Sequence, residues 1–366
     1  MSNTAKLTRI KLKNFTAFSN LNLKLSPGVN VIIGANSTGK THLLKILYAA
    51  TAITTGEDRE KSFRNKLLGV FNPYKKAMTR LIRRQQGLPK ASIIVERGDG
   101  AKLRAEIDNQ KANVEDVIVT GQDEWRKVEM KTAYIPVKEM LAHAPFLKKI
   151  SKREIELEKK YIDIINESFE EIYIYIIKKS FLPQLRGPHD DRRKLLLSML
   201  QQAIEGRVEA KDEHFFLRDK GQLEFNLLAE GLRKLALIWL LIQNGTLLSG
   251  SVLFWDEPEA NLNPNLMGKV VEVILELHRL GVQVFLATHN YVILKEFDLR
   301  QKQKDSIRYI SLYQDKDNDG RDVIFSSYSD CYSGIDHNAI LETFGKLYDS
   351  ELLRADISTI AKHEEA

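Results

Sequence analysis

Apolar and polar residues alternate twice within the first 25 positions. Ile10 and Leu12 sit between Arg9, Lys11 and Lys13, and Leu21, Leu23 and Leu25 are spaced by Asn22 and Lys24. A period of two puts every other side chain on one face, so each stretch predicts a strand. Pro27-Gly28 breaks the pattern, and Val29-Asn30-Val31-Ile32-Ile33 then reads as a buried strand. A glycine-bearing turn and a helix over about 41–50 follow. Residues 56–90 are basic and helical in character, broken at Pro73 and Pro89. Strand patterns return over 91–135, as in Ser92-Ile93-Ile94-Val95-Glu96 and Thr132-Ala133-Tyr134-Ile135. Residues 151–200 are charged and helix-rich, interrupted at Pro183 and Gly187-Pro188. Phe215-Phe216-Leu217 and Leu223-Glu224-Phe225 read as strands about a turn at Asp219-Lys220-Gly221, after which helices and strands alternate to about Tyr313.

That order predicts an α/β fold: a mostly parallel sheet with helices against it, an antiparallel β-subdomain and helical insertions. The expected organisation is one composite domain over 1–366, with a basic helical insertion at 56–90 and a helical subdomain at 141–214. A hairpin and helices complete it over 315–366. No internal repeat or low-complexity segment is present, and no heptad pattern is long enough for a coiled-coil arm.

Composition narrows the setting. The longest apolar stretch, Leu235 to Ile242, is less than half of the roughly 18 residues a membrane span needs, so no membrane partner is expected. The opening Met-Ser-Asn-Thr-Ala-Lys has no signal-peptide apolar region, and the single cysteine, Cys331, allows no intrachain disulfide. Both point to a reducing, cytoplasmic setting. The net charge of +6 is mild but uneven: nine basic residues and no acid fall between Lys61 and Lys90. Such a run either attracts nucleic acid or an acidic partner, or forms a solvated helical face.

Two motifs carry chemistry. Gly34-Ala35-Asn36-Ser37-Thr38-Gly39-Lys40-Thr41 fits G-x-x-x-x-G-K-[ST] between a predicted strand and a predicted helix. Its glycines let successive N–H groups converge on phosphate oxygens, and the helix N-terminus adds its positive dipole end. These eight residues and His42 are the candidate nucleotide-binding set, with ATP and Mg²⁺ as cofactors. Lys40 is expected to reach the β- and γ-phosphates, and the Thr41 hydroxyl to ligate Mg²⁺. The second motif, Ser251-Val252-Leu253-Phe254-Trp255-Asp256-Glu257, is a buried-type strand ending in two carboxylates. It would deliver Asp256 as a metal ligand and Glu257 as the catalytic group that polarises an attacking water. A further apolar strand over 282–288 ends at His289, a candidate catalytic residue that can hydrogen-bond a γ-phosphate.

These residues resemble a superfamily. Asp256-Glu257-Pro258-Glu259 followed by Asn261-Leu262-Asn263-Pro264, the opening Ile10-Lys11-Leu12-Lys13-Asn14-Phe15, and Thr288-His289 are similar to the ABC-class ATPases of the SMC, RecF and OLD branch. The resemblance covers 7–50 and about 222–313 with specific motifs. It implies an ABC-type P-loop ATPase head and two ATPs sandwiched in a head-to-tail dimer or a higher homo-oligomer. A signature loop from one subunit then completes the site of the other. Leu228-Ala229-Glu230-Gly231-Leu232-Arg233-Lys234 is the best match to that loop. It departs from the family, with Ala229 where a phosphate-contacting Ser is usual and Glu230 where a Gly is usual. Ala229, Gly231 and Arg233 are thus the residues expected to act in trans, Arg233 or Lys234 substituting as the γ-phosphate donor. No coupling glutamine is found. Tyr134-Ile135-Pro136-Val137-Lys138-Glu139-Met140 resembles an Ile-Pro segment of compact members and has no assigned role.

The resemblance further implies an ATP-hydrolysing switch. Compact members of the branch are often ATPase subunits of bacterial anti-phage systems such as PARIS, controlling a separate effector protein. A RecF-like repair ATPase that binds duplex DNA through the 61–90 run is the first alternative, and a non-hydrolysing scaffold, suggested by Ala229, is the second. The chain runs only about 50 residues past Asp315, which leaves no room for the nuclease domain of OLD proteins and supports the expectation of a separate effector. Two decoys are set aside. Asp315-Lys316-Asp317-Asn318-Asp319-Gly320 imitates a calcium loop, but its twelfth position is Ser326, so a hairpin turn is expected. His189-Asp190-Asp191 reads as a helix cap after Pro188 and not as a metal site.

Overall fold

The computed structural model describes residues 5–364, apart from 86, 88, 111–112, 144–169, 188–189, 212–213 and 219–220. Its centre is a six-stranded sheet of β3 (Val29–Gly34), β7 (Thr132–Ile135), β11 (Val252–Asp256), β12 (Gln283–Thr288), β13 (Ile307–Lys316) and β14 (Asp322–Ser329). Their order is β14-β13-β3-β12-β11-β7, all parallel except β14. Every residue of β3, β11 and β12 is buried, as expected of strands covered on both faces.

One face carries helix α1 (Lys40–Ala52) and, beyond it, an antiparallel sheet of β1 (Leu7–Phe15), β2 (Phe18–Lys24), β4 (Lys90–Arg97), β5 (Lys102–Asp108) and β6 (Ile118–Thr120). Leu12, Phe15 and Phe18 of that sheet, Leu43 and Leu47 of α1, and Phe254 and Phe285 of the central sheet form one buried cluster. The alternation read at the N-terminus is therefore the covered side of this outer sheet, while its lysines face solvent. The opposite face is covered by α6 (Glu230–Gln243) and α7 (Pro264–Arg279), whose Leu235, Ile238, Val271 and Ile274 pack on Val31, Leu253 and Leu286. Fixing α1 between two sheets holds its N-terminal turn rigidly, and that turn carries the phosphate-loop lysine.

The remaining elements are α2 (Phe63–Phe71), α3 (Gln122–Arg126), α4 (Glu171–Ser180) and α5 (Asp191–Ile204), the last packed on α6 and α7, with a small sheet of β8 (Arg207–Lys211), β9 (His214–Arg218) and β10 (Gln222–Glu224). Among the described residues of 56–90 there is one α-helix, α2, followed by short 3₁₀ turns at Tyr74–Lys76 and Met78–Leu81. Much of the 141–214 stretch, and the turn at Asp219 and Lys220, lies outside the described residues. Helix α8 (Tyr291–Arg300) follows β12, and α9 (Ala339–Glu364) ends the chain.

The calcium-loop imitation is the β13–β14 hairpin turn. Asp317 accepts hydrogen bonds from the Asp319 and Arg321 backbone N–H groups and from Arg321 Nε, so its carboxylate serves the turn itself. Asp190 caps α5 by accepting from Arg193 N at 2.9 Å, and His189 lies outside the described residues. Among the described residues, no helix is long and apolar enough to cross a membrane.

Candidate functional site

Sheet order brings the motifs together. β3, β12 and β11 are parallel neighbours, with Ile33 opposite Thr288 and Ala287 opposite Asp256. Their C-terminal ends therefore deliver the phosphate loop, His289 and the Asp256–Glu257 pair to one edge, where open α/β sheets bind ligands.

The loop over 34–39 turns from β3 into α1 through two glycines that no other residue can replace without strain. Gly34 has φ +151°, and a Cβ there would lie 2.2 Å from the Leu312 carbonyl oxygen. Gly39 has φ +92°, and its Cβ would meet the Phe18 ring at 2.6 Å. Within the turn the Thr38 hydroxyl donates to the Ala35 carbonyl at 2.9 Å. Lys40 is buried and donates to the Gly34 and Ala35 carbonyls at 2.8 and 2.9 Å. Burial lowers its pKa, and the charges of Glu257, Asp256 and Glu259 oppose that shift.

Asp256 is buried at the end of β11. Tyr134 Oη donates to it at 3.2 Å, and the Thr41 hydroxyl is a second donor. Burial raises its pKa in spite of both donors, and neighbouring Glu257 raises it further. Glu257 has left the strand conformation, with φ at +47°, while its N–H still bonds the Ala287 carbonyl at 2.9 Å. A left-handed glutamate costs of order 1 kcal/mol or more, and such outliers concentrate where a side chain must be aimed. The turn brings Glu257 Oε1 to 3.4 Å from His289 Nδ1. Thr41 and Asp256 present oxygen donors only, the set a hard divalent cation takes when nucleotide phosphates and waters complete its shell. The residues present therefore fit Mg²⁺. No cluster of three or more His, Cys, Asp or Glu suited to a metal occurs among the described residues.

Several residues of the site have no role assigned from the sequence. Tyr134 is the penultimate residue of β7. Glu259, buried beyond Pro258, accepts from the Thr288 hydroxyl at 2.7 Å and from His289 N at 3.1 Å, and so ties the acidic motif to the histidine strand. Lys45, one turn after Thr41, donates to Glu170 at 2.6 Å. Glu170 is the N-cap residue of α4, so the phosphate-loop helix is joined by an ion pair to a helix 125 residues away. His42 is held neutral: burial, aided by Lys45, depresses its pKa to about 4.

The Ala229 segment behaves differently from the expectation for its basic residues. Ala229 is the exposed N-cap of α6, and Gly231 lies tight against the loop at Asn261, where a Cβ would come within 2.8 Å of the Asn261 carbonyl oxygen. Arg233 turns inward to the Glu139 carboxylate and to the carbonyls of Phe225 and Leu228. Lys234 is buried and donates to the Ala260 carbonyl at 2.9 Å. In this arrangement both are committed within their own chain, and neither is available as a donor to a neighbour's phosphate. Glu230, the other departure from the family pattern, accepts from Asn261 Nδ2 at 2.8 Å and from Glu139 N at 3.3 Å, joining three loops. Ala229, Gly231 and Asn261–Asn263 border an open groove of about 730 Å³.

Residues 29–295 match the family described as "AAA domain, putative AbiEii toxin, Type IV TA system". The chain belongs to that AAA family. This AAA-family chain is also similar to curated proteins named DNA replication and repair protein RecF. The Bacillus cytotoxicus protein is 35% identical over 108 residues, covering 29% of this chain and 27% of the relative. The Bacillus cereus protein is 23% identical over 221 residues, covering 57% of this chain and 52% of the relative. The chain thus spans from about a quarter to about half the length of these curated relatives. Among solved structures, the SmcHead bound to the C-winged helix domain of ScpA aligns with a TM-score of 0.52 at 12% identity, over 88% of this chain and 97% of that one. The Smc head domain with an extended coiled coil bound to the C-terminal domain of ScpA, from Pyrococcus furiosus, gives 0.51 at 12%, over 94% and 99%. The fold is that of an SMC head, and over part of its length the AAA-family chain is similar to RecF.

Proposed function

We propose that this chain binds ATP with Mg²⁺ and hydrolyses it slowly, as a switch that works when two copies meet head to tail. The observation carrying the reading is the convergence of Lys40, Thr41, Asp256, Glu257 and His289 on one sheet edge. Lys40 neutralises the phosphate chain and the loop N–H groups cradle it. Thr41 and Asp256 would hold Mg²⁺, which when bound offsets charge on the phosphate oxygens. Glu257 orients a water and takes its proton as the water oxygen bonds to the γ-phosphorus and the bond to the ADP oxygen breaks. His289, beside Glu257, is placed to hydrogen-bond the departing phosphate. A second copy would bring its Ala229–Gly231 segment over the nucleotide. With Ala in place of a hydroxyl donor and Arg233 turned inward, that clamp is weak, in keeping with a slow switch.

The switch would control a separate effector in a bacterial defence complex. The family's description as a type IV toxin–antitoxin system supports that setting. The RecF likeness supports a second reading, duplex DNA binding through the 61–90 run. Its positive surface is smaller than its composition suggests, because Lys61, Arg64, Lys66 and Lys90 pair with Glu171, Glu115, Asp58 and Asp108.

Lys40→Ala is expected to weaken ATP binding by about 10- to 100-fold, the range for losing a charge-assisted contact. Equilibrium titration with Mg²⁺ and ATP measures it, and an unchanged affinity would remove the phosphate-loop assignment. Purification of the native complex addresses the effector: a chain that comes out repeatedly with no second polypeptide argues against external control.

A further inference from the structure

The basic segment after α1 splits into two groups with different fates. Lys61, Arg64, Lys66 and Lys90 are neutralised by acids from elsewhere in the chain. Arg83 donates to the carbonyls of Ala17 and Asp322, pinning the segment to the β1–β2 turn and to β14. Arg80 and Arg84 remain exposed, and both line a cleft of about 520 Å³ with His42, Phe71, Pro73 and Leu81.

This cleft borders the phosphate loop. Ala17, also on its wall, lies so close to Gly39 that a Cβ on that glycine would stand 3.2 Å from the Ala17 Cβ. His42 directly follows Thr41 in the first turn of α1, and its shielded Nδ1 has no hydrogen-bond partner among the described residues. The His42 and Phe71 rings lie 5.7 Å apart, and Phe71 also meets Phe15 at 5.6 Å, so this wall is aromatic and braced from behind. An apolar, aromatic floor with a few polar groups at its rim, in a space of several hundred Å³, suits a small planar ligand. Arginine guanidinium groups add stacking and cation–π attraction to such rings.

We propose that this cleft seats the nucleoside end of ATP, with the base against the Phe71–Pro73 wall and Arg80 and Arg84 closing over base and ribose. The proposal rests on the reading that the phosphate loop takes ATP. It gives the two exposed arginines, Arg80 resting 5.5 Å over the Tyr74 ring, a mononucleotide as their ligand instead of nucleic acid.

Titrations of ATP and of inorganic tripolyphosphate into the full chain, wild type and Arg80→Ala/Arg84→Ala, separate the possibilities. Both arginines are exposed, so matched thermal melts are expected and confirm folding. The variant should lose about 5- to 30-fold in affinity for ATP, somewhat less than a buried charged contact would give, while tripolyphosphate affinity stays at the wild-type value. An unchanged ATP affinity overturns the proposal, as does an equal loss for both ligands, which would assign the arginines to the phosphates. Loss of duplex DNA binding with ATP affinity intact overturns it in favour of nucleic acid. A wild-type chain that binds neither ATP nor tripolyphosphate overturns the phosphate-loop reading itself.

Discussion

If the proposed ATP hydrolysis holds, Glu257→Gln is expected to lower turnover by about 100- to 10,000-fold while ATP uptake stays close to wild type. The range is that of removing a positioned general base. Glutamine keeps the shape and can still orient a water, but its amide oxygen does not take a proton at neutral pH. Binding should survive because Lys40, the loop N–H groups and Asp256 are untouched, and the main-chain bond from residue 257 to the Ala287 carbonyl does not depend on the side chain. The left-handed backbone at Glu257 is held by the fold around it, so the variant side chain follows the same path toward His289. If two copies close over nucleotide, a variant that binds without turning over should also accumulate the closed dimer. Phosphate release, nucleotide titration and sedimentation with Mg²⁺ and ATP read the three quantities. Turnover that survives the substitution unchanged sinks Glu257 as the base.

Asp58→Ala destabilises the fold by about 3–5 kcal/mol, the usual cost of removing one partner from a buried ion pair. Lys66 is fully buried, with its ammonium 2.5 Å from Asp58 Oδ2 and 3.5 Å from Glu171 Oε1. The Tyr175 hydroxyl donates to the other Asp58 oxygen at 2.5 Å, and the Lys66 ammonium lies 4.0 Å from the Tyr175 ring centroid. Burial lowers the Lys66 pKa, while Glu171 and Asp58 act to hold its charge. Removing Asp58 leaves the buried charge only Glu171, at 3.5 Å, and deprives Tyr175 of its acceptor. Lys66→Met should cost less, because Asp58 keeps Tyr175 and Lys61 as partners, the latter at 3.4 Å. Urea unfolding of the two variants measures the difference, and equal losses would show that the cluster contributes by volume and not by charge. The same cluster fixes Glu171, next to the Glu170 that pairs with Lys45 beside Thr41. A weakened cluster is therefore expected to loosen the link between α1 and α4.

Two kinds of information were distributed differently along this chain. The phosphate loop was legible because its demands are local: glycines where φ is positive, a buried strand before it, a helix after it. Asp256, Glu257 and His289 were legible because short, uniformly apolar runs predict parallel strands, and parallel strands put their C-terminal ends on one edge. The Asp315 turn was legible for the same local reason. By contrast, Tyr134, Lys45 and Glu170 were silent, since nothing periodic marks a tyrosine that will face Asp256 or a lysine whose partner lies 125 positions away.

The basic segment shows the limit most clearly. Read alone, residues 61–90 hold nine bases and no acid, yet Asp58, Asp108, Glu115 and Glu171 reach four of those bases from outside the segment. Arg233 and Lys234 likewise look like free donors in the sequence, and packing turns both inward. By itself, then, the sequence determined the elements and the groups that meet at the C-terminal edge of the central sheet, because steric and hydrogen-bonding rules act over a few residues. The tertiary structure alone decided which charges are neutralised and which stay exposed, because a charge's partner depends on which distant elements pack beside it.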